Sequence, residues 1–422
     1  MKNVFKIILI ILGICILYSA VGWDESGSSG KRITSYAPGI IHYPGQAFGV
    51  KTDDTLWAWG SNQFGQLGNV TATDQYLPVQ ISGTGWASIV CGAYHTLGLK
   101  TDGSLWAWGD NRFGQLGNGT AISSTVPVQI GNNTDWLAVA CGEKYSVAIK
   151  NDGTLWSWGN NNFGQLGDGT QVDRDVPTQI SGTGWAVIAC GTNHTLAIKS
   201  DTTLWAWGNN ESGQLGIGTE INKNTPAQIT GSGWSKVTAG LAHSVALKND
   251  ATVWAWGYDW DGEVGDGDNG YYQHRNLPVQ LTGTGWTNIS AGRSYTMALK
   301  TDGTLWAWGS DNAGQLGDGN IGAWVSDVQY GKRSGCAGNR GWSAGDGYTN
   351  NPKYVPTRIG TDNNWLAIAA GSDFAVVLKN DGALWAWGDN YSGQLGDGTT
   401  ADRKLPAKSG TDTNWAKISA SK

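Results

Sequence analysis

Residues 185–208 read WAVIACGTNHTLAIKSDTTLWAWG, and this stretch decides the fold. Three short β-prone runs, Ala186 to Cys190, His194 to Lys199 and Leu204 to Trp207, are separated by Gly191-Thr192-Asn193 and Ser200-Asp201-Thr202, which have the chemistry of tight turns. Equivalent stretches put Asp-Gly at the second turn, as in Asp102-Gly103 and Asp152-Gly153, a hairpin signal. Trp205 and Trp207 lie two apart and so project from the same sheet face. Further along each repeat, Pro78, Pro127, Pro177, Pro226, Pro278, Pro356 and Pro406 introduce a fourth short strand, expected at an outer edge where a missing N–H is tolerable.

Working outward, the tryptophans define the repeat. Trp-x-Trp-Gly occurs seven times, starting at Trp57, Trp106, Trp156, Trp205, Trp254, Trp306 and Trp385. Single tryptophans lie at Trp86, Trp136, Trp185, Trp234, Trp286, Trp365 and Trp415, so the pattern absorbs 21 of the 25. From a single Trp to the next Trp-x-Trp the step is always 20 residues, which leaves that half no room for insertion. The return step runs 29, 30, 29, 29, 32, 59 and 30, so length changes fall in surface connections. Four antiparallel strands repeated seven times at about 50 residues spell an all-β chain, a seven-bladed β-propeller. Counting 20 back from Trp57 reaches Ala37 in place of a tryptophan, and Trp415 to Lys422 supplies the missing strand. The ring is therefore expected to close by pairing N- and C-terminal segments within one blade, removing an open edge.

Composition agrees. Across 422 residues there are 64 Gly and 25 Trp against 6 Phe and 2 Met, a bias that excludes a helical bundle and a disordered chain. Net charge is −6, and −6 − 2 = −8 if Lys2 and Lys6 are removed, which argues against nucleic acid as a partner. Lys2 and Lys6 precede an uncharged run from Ile7 to Gly22 that ends near Ser19 and Ala20, the layout of an export signal. Residues 1–22 are expected to be a cleaved signal, with an uncleaved membrane anchor or a lipid on Cys15 as alternatives. Residues 23–36, with GSSG inside, read as a flexible linker, and 37–422 as the propeller. A secreted, periplasmic or cell-surface monomer is expected.

FGQLGDGT at 163–170 after LWSWG, with CGTNHTLAIK at 190–199, resembles the repeats of the regulator of chromosome condensation family, and the likeness covers roughly residues 37–422. The resemblance implies a seven-bladed propeller of four-stranded blades, and it leaves function open because one fold hosts unrelated sites. Guanine-nucleotide exchange is known in the family, as is tight protein binding by a secreted bacterial inhibitor of β-lactamases. Exchange needs a GTPase in the same compartment and chromatin binding a basic face, neither of which fits an exported acidic chain.

Candidate chemistry is sparse. Gly65-Gln66-Leu67-Gly68 and its copies lack the Lys-Ser/Thr of a phosphate-binding loop and read as tight turns, with Leu67, Leu116, Leu166, Leu215, Leu316 and Leu395 plugging the space between blades. Gly262-Glu263-Val264-Gly265 departs from the pattern in the fifth repeat. His95, His194 and His243 share a slot with Tyr145, Tyr295, Phe374 and Gln46, which marks a packing position. Cys91, Cys141 and Cys190 alternate with Ala239, Ala291 and Ala370 as small buried residues, and no disulfide framework is evident. Asp259, Asp261, Glu263, Asp266 and Asp268 offer hard oxygen ligands without the ordered spacing of a calcium loop. A solvated acidic turn is expected there, with Asp259, Asp261, Asp266 and Asp268 the candidates should calcium bind. No cofactor and no catalytic residue is expected.

The sixth repeat departs most, with about 29 extra residues after Gly319. Residues 320–355 hold Trp324, Tyr330, Lys332, Arg333, Arg340, Trp342, Tyr348, Lys353 and Tyr354 against Asp327 and Asp346, a local +2 with the aromatic and arginine enrichment of binding hot spots. The expected function is an exported, non-enzymatic scaffold that binds a protein through one propeller face and this insertion. Trp324, Tyr330, Arg333, Arg340, Trp342 and Tyr348 are the contact candidates. The alternative is a carbohydrate-binding propeller, for which few tryptophans remain outside the repeat; an exchange factor ranks below both.

Overall fold

The computed structural model describes residues 45–268, 274–320 and 352–422. Within them 28 strands form seven four-stranded antiparallel sheets, a propeller with no helix among the described residues. In blade 4 the strands are Trp185–Cys190, His194–Lys199, Leu204–Gly208 and Lys223–Ile229, the first three within one residue of the limits the sequence suggests. The strands opened by single tryptophans touch one another in succession around the ring, which makes them the innermost. Blade 1 takes its innermost strand from the C-terminal end: Trp415–Ala420 pairs antiparallel with Gln46–Lys51, and the circle closes.

The prolines do not precede the outer strands but lie inside them. Pro226 falls between Lys223, which pairs with Gly208, and Ala227, which pairs with Ala206, where the register shifts. All seven prolines occupy this bulge, so the missing N–H falls where the ladder is already interrupted.

Seven apolar clusters form the core, each shared by two neighbouring blades. Between blades 3 and 4, Leu155, Leu166 and Ile180 meet Trp185, Cys190, Ala197 and Trp207. Gly167, at φ 75°, follows the plug because any Cβ there would meet Trp207 Nε1 at 2.6 Å. The indoles pack edge to face within a blade, Trp185 lying 6.1 Å from Trp205 and 5.9 Å from Trp207.

Candidate functional site

Two rings of side chains recur around the propeller, one reaching from each blade into the next and one packed within each blade. In the first, the slot shared by His, Tyr, Phe and Gln reaches into the next blade. His95 Nε2 bonds Ser146 Oγ at 3.0 Å, His194 Nε2 bonds Ser244 Oγ at 3.0 Å, and His243 Nε2 bonds Thr296 Oγ1 at 3.1 Å. Ser146 and Ser244 donate their own protons to the carbonyls of Gln115 and Gln214, both at 2.8 Å, so the imidazole is the donor and Nε2 carries the hydrogen. Tyr145 donates to the His194 carbonyl at 2.5 Å, Tyr295 to the Phe374 carbonyl, and Gln46 Nε2 to the Gly92 carbonyl at 3.0 Å. Burial pushes the three histidines down, His95 to about 4 and His194 and His243 to about 3, so all are neutral at pH 7. Fixed and buried in these ties, they are poorly placed for acid–base or metal work.

The second ring lies at the hairpin turns. Lys51, Lys100, Lys150, Lys199, Lys248, Lys300 and Lys379 each set an ammonium 4.0–5.0 Å from two indole centroids of their own blade. Sequence reasoning passed over this cage, although its signal, a lysine 14 residues after each single Trp from Trp86 to Trp365, is constant. Cys91, Cys141 and Cys190 are buried free thiols, with burial pushing Cys91 and Cys190 up to about 12.

The connections after the third strands emerge on the opposite face from those turns. One exposed slot there holds Gln63, Arg112, Asn162, Glu211, Trp260, Asn312 and Tyr391, so the exposed aromatics, Trp260 at 42% and Tyr391 at 64%, flank blade 6. The lengthened connection of blade 6 leaves between them, after Leu305–Gly309, and returns at Lys353–Arg358. The contact candidates Trp324, Tyr330, Arg333, Arg340, Trp342 and Tyr348 lie outside the described residues. The blade-5 acids are engaged with protein groups: Arg275 Nε bonds Asp266 at 2.6 Å and a terminal nitrogen bonds Asp268 at 2.7 Å. Asp259 accepts the Val264 N–H at 3.0 Å, and Glu263 accepts the N–H of Asp261 at 2.8 Å. No group of three acidic, histidine or cysteine side chains converges as metal ligands among the described residues.

The model for the regulator of chromosome condensation (RCC1) repeat matches residues 53–99, 102–149, 152–198, 201–247, 250–299 and 381–422. Among curated proteins, 120 residues are 31% identical to the human E3 ubiquitin-protein ligase HERC2, and 120 residues are 28% identical to the ultraviolet-B receptor UVR8 of Arabidopsis thaliana. Each match covers 28% of this chain, 2% of HERC2 and 21% of UVR8, so the chain spans a minor part of these relatives. Among solved structures, a chain in that of Kap60 bound to yeast RCC1 (Prp20) superposes with TM-score 0.72 at 18% identity, covering 92% of this chain and 91% of that one. Prp20p from Saccharomyces cerevisiae, solved in work on its binding to Gsp1p and histones, gives 0.72 at 20% identity, covering 86% and 88%. Human WBSCR16 gives 0.68 at 20% identity, covering 89% and 97%. At these identities the superpositions establish the fold.

Proposed function

The chain belongs to the regulator of chromosome condensation repeat family, and on that premise we propose that it is an exported, non-enzymatic scaffold that binds a protein partner. The observation that carries this reading is the single large break in a seven-fold regular ring. In one repeat the step from Trp306 to Trp365 is 59 residues in place of about 30, and its added residues, rich in tryptophan, tyrosine and arginine, leave a face on which Trp260 and Tyr391 stand exposed to either side. Tryptophan and tyrosine supply large contact area at low entropic cost and arginine adds planar, charged hydrogen bonding, whereas a spacer has no use for them. One structural neighbour, yeast RCC1 (Prp20), is described as binding proteins, Kap60 in one structure and Gsp1p and histones in the other, which favours protein recognition as the use of this fold.

Export rests on Lys2 and Lys6 followed by the uncharged run to Gly22. The non-enzymatic reading draws support from the buried histidines, committed to hydrogen bonds between blades. Affinity capture from native cell-surface and medium fractions, with residues 23–422 beside the same protein lacking 321–351, tests the proposal. A protein retained by the intact form alone supports it. Polysaccharide retained by both forms replaces it with a lectin-like propeller in which the insertion is incidental.

A further inference from the structure

Two amides pin the turn after the third strand in most blades. Asn62, Asn111, Asn161, Asn210 and Asn390 each accept, through Oδ1, the N–H of the plug leucine five residues on, at 2.9–3.0 Å. Their Nδ2 donates to carbonyls of the connection and, in four of the blades, to the side chain seven residues on. Asn161 Nδ2 reaches Val172 O at 3.2 Å and Asp168 Oδ1 at 3.1 Å, and Asn390 Nδ2 reaches Asp397 Oδ1 at 3.2 Å. The second amide is the Gln of the turn. Gln165 Oε1 accepts the Phe163 N–H at 2.9 Å, and its Nε2 donates to Asn160 Oδ1 at 2.9 Å.

Blade 5 replaces both amides with acids of the same shape, Asp259 and Glu263, and blade 6 replaces the first with Asp311. The accepting halves survive: Val264 N to Asp259 Oδ1 and Leu316 N to Asp311 Oδ1 are both 3.0 Å, and Asp261 N to Glu263 Oε2 is 2.8 Å. The donating halves of the two aspartates survive only if they carry protons, whereas Glu263 has Tyr258 where Gln165 has Asn160 as its acceptor. All three are buried, at 4%, 1% and 0% exposure for Asp259, Glu263 and Asp311, and Glu263 Oε1 has no hydrogen-bond partner among the described residues. The side chains seven residues on from the two aspartates are themselves carboxylates, Asp266 and Asp318, already paired with Arg275 at 2.6 Å and Lys353 at 3.0 Å.

We propose that Asp259, Glu263 and Asp311 are carboxylic acids standing in for the repeat's amides, so that the turns of blades 5 and 6 close with protons bound and loosen as pH rises through neutrality. A protonated Oδ2 restores the N–H donor of Asn at the same place, and an ionised one sets buried negative charge against the Asp266 or Asp318 carboxylate; at Glu263 a proton spares the turn a buried charge. The charged groups facing Asp259 are Asp266, Asp268 and Arg275, with Asp261 beside Glu263. Asp318 and Lys353 face Asp311, and Asp373 lies across Gln315. Burial first, and the neighbouring carboxylates after it, push Asp259 and Asp311 up to about 7 and Glu263 well above the carboxylate range. A pKa raised in the closed turn gives closure that is complete below the ordinary carboxylate range and is lost as pH climbs to about 7. These two turns open the two lengthened connections of the ring.

Hydrogen exchange of the Val264 and Leu316 amides at pH 6 and pH 8 tests this, with the Leu166 amide, held by Asn161, as the internal reference for intrinsic rate. Relative protection is expected to fall roughly ten-fold at both sites over that range. Asp311→Asn should abolish the fall at Leu316 and keep it at Val264, and the pair Asp259→Asn with Glu263→Gln should do the reverse. Protection that is equal at both pH values in the unmodified protein overturns the proposal without any variant having to fold. So does an Asn variant that keeps the original pH response, or calcium restoring protection at pH 8, which would make a cation and not a proton the missing partner.

Discussion

Replacing the three histidines that tie neighbouring blades by tyrosine, His95→Tyr, His194→Tyr and His243→Tyr together, should make the fold more acid-resistant. Tyr145 and Tyr295 already fill this slot and tie blades through a group that does not titrate in acid. The native histidines titrate at about 4, 3 and 3, and an unfolded chain binds protons at the ordinary 6.5. A pKa depressed by folding contributes stability that is complete above 6.5 and is lost as pH falls towards 4. At pH 5 each histidine costs about 1.4 × 1.5, or about 2 kcal/mol, and the three together about 6 kcal/mol, a large share of a typical folding free energy. Asp259 and Asp311 run the opposite way, losing stability as pH rises to about 7, and they are common to both proteins. The quantity to measure is therefore the change in denaturant unfolding free energy from pH 7.5 to pH 5 for each protein, and then the difference between those changes. The variant should lose several kcal/mol less than the parent. Parallel losses, within about 1 kcal/mol, would refute the assignment of neutral, buried histidines.

Leu166→Asp or Leu215→Asp should destabilise the ring by more than about 4 kcal/mol, since each leucine is fully buried between blades, and a melting transition close to the parent's would contradict the plug. Removing residues 415–422 strips blade 1 of its inner strand and leaves Trp57, Trp59 and Lys51 without Trp415; loss of cooperative unfolding and a rise in aggregates on size exclusion are expected. Deleting 321–351 should move the melting temperature by no more than a few degrees, because the other six repeats complete their blades with return steps of only 29–32 residues, and a lost fold would show the insertion to be structural.

The ring was legible because its tryptophans are both frequent and strictly spaced: the 20-residue step marks the half of the blade that cannot change length, and Trp415 to Lys422 supplies the strand absent before Trp57. What each slot does was harder to see, since hydrogen bonds between blades join residues about 50 apart with no local signature. The trace was nonetheless present. His95, His194 and His243 are answered in the next blade by the hydroxyls of Ser146, Ser244 and Thr296, and Tyr145 by Thr195, whereas Tyr295 and Phe374 are answered by Ala375 and Ala47. The altered fifth turn was noticed through Glu263, but Asp259 and Asp311 look like ordinary loop acids until set beside Asn62, Asn161 and Asn390, whose amides the structure shows in use. The contact candidates between Trp324 and Tyr348 rest on composition, because they lie outside the described residues.

The central claim, protein recognition through the insertion on the blade-6 face, is tested most directly by titration calorimetry of the captured partner against the intact protein and against one carrying alanine at Trp324, Tyr330, Arg333, Arg340, Trp342 and Tyr348. The account predicts at least about a hundred-fold loss of affinity with an unchanged melting temperature, as expected when hot-spot side chains are truncated without touching the ring. Undiminished affinity in the alanine protein would contradict it and move the binding surface elsewhere on the propeller.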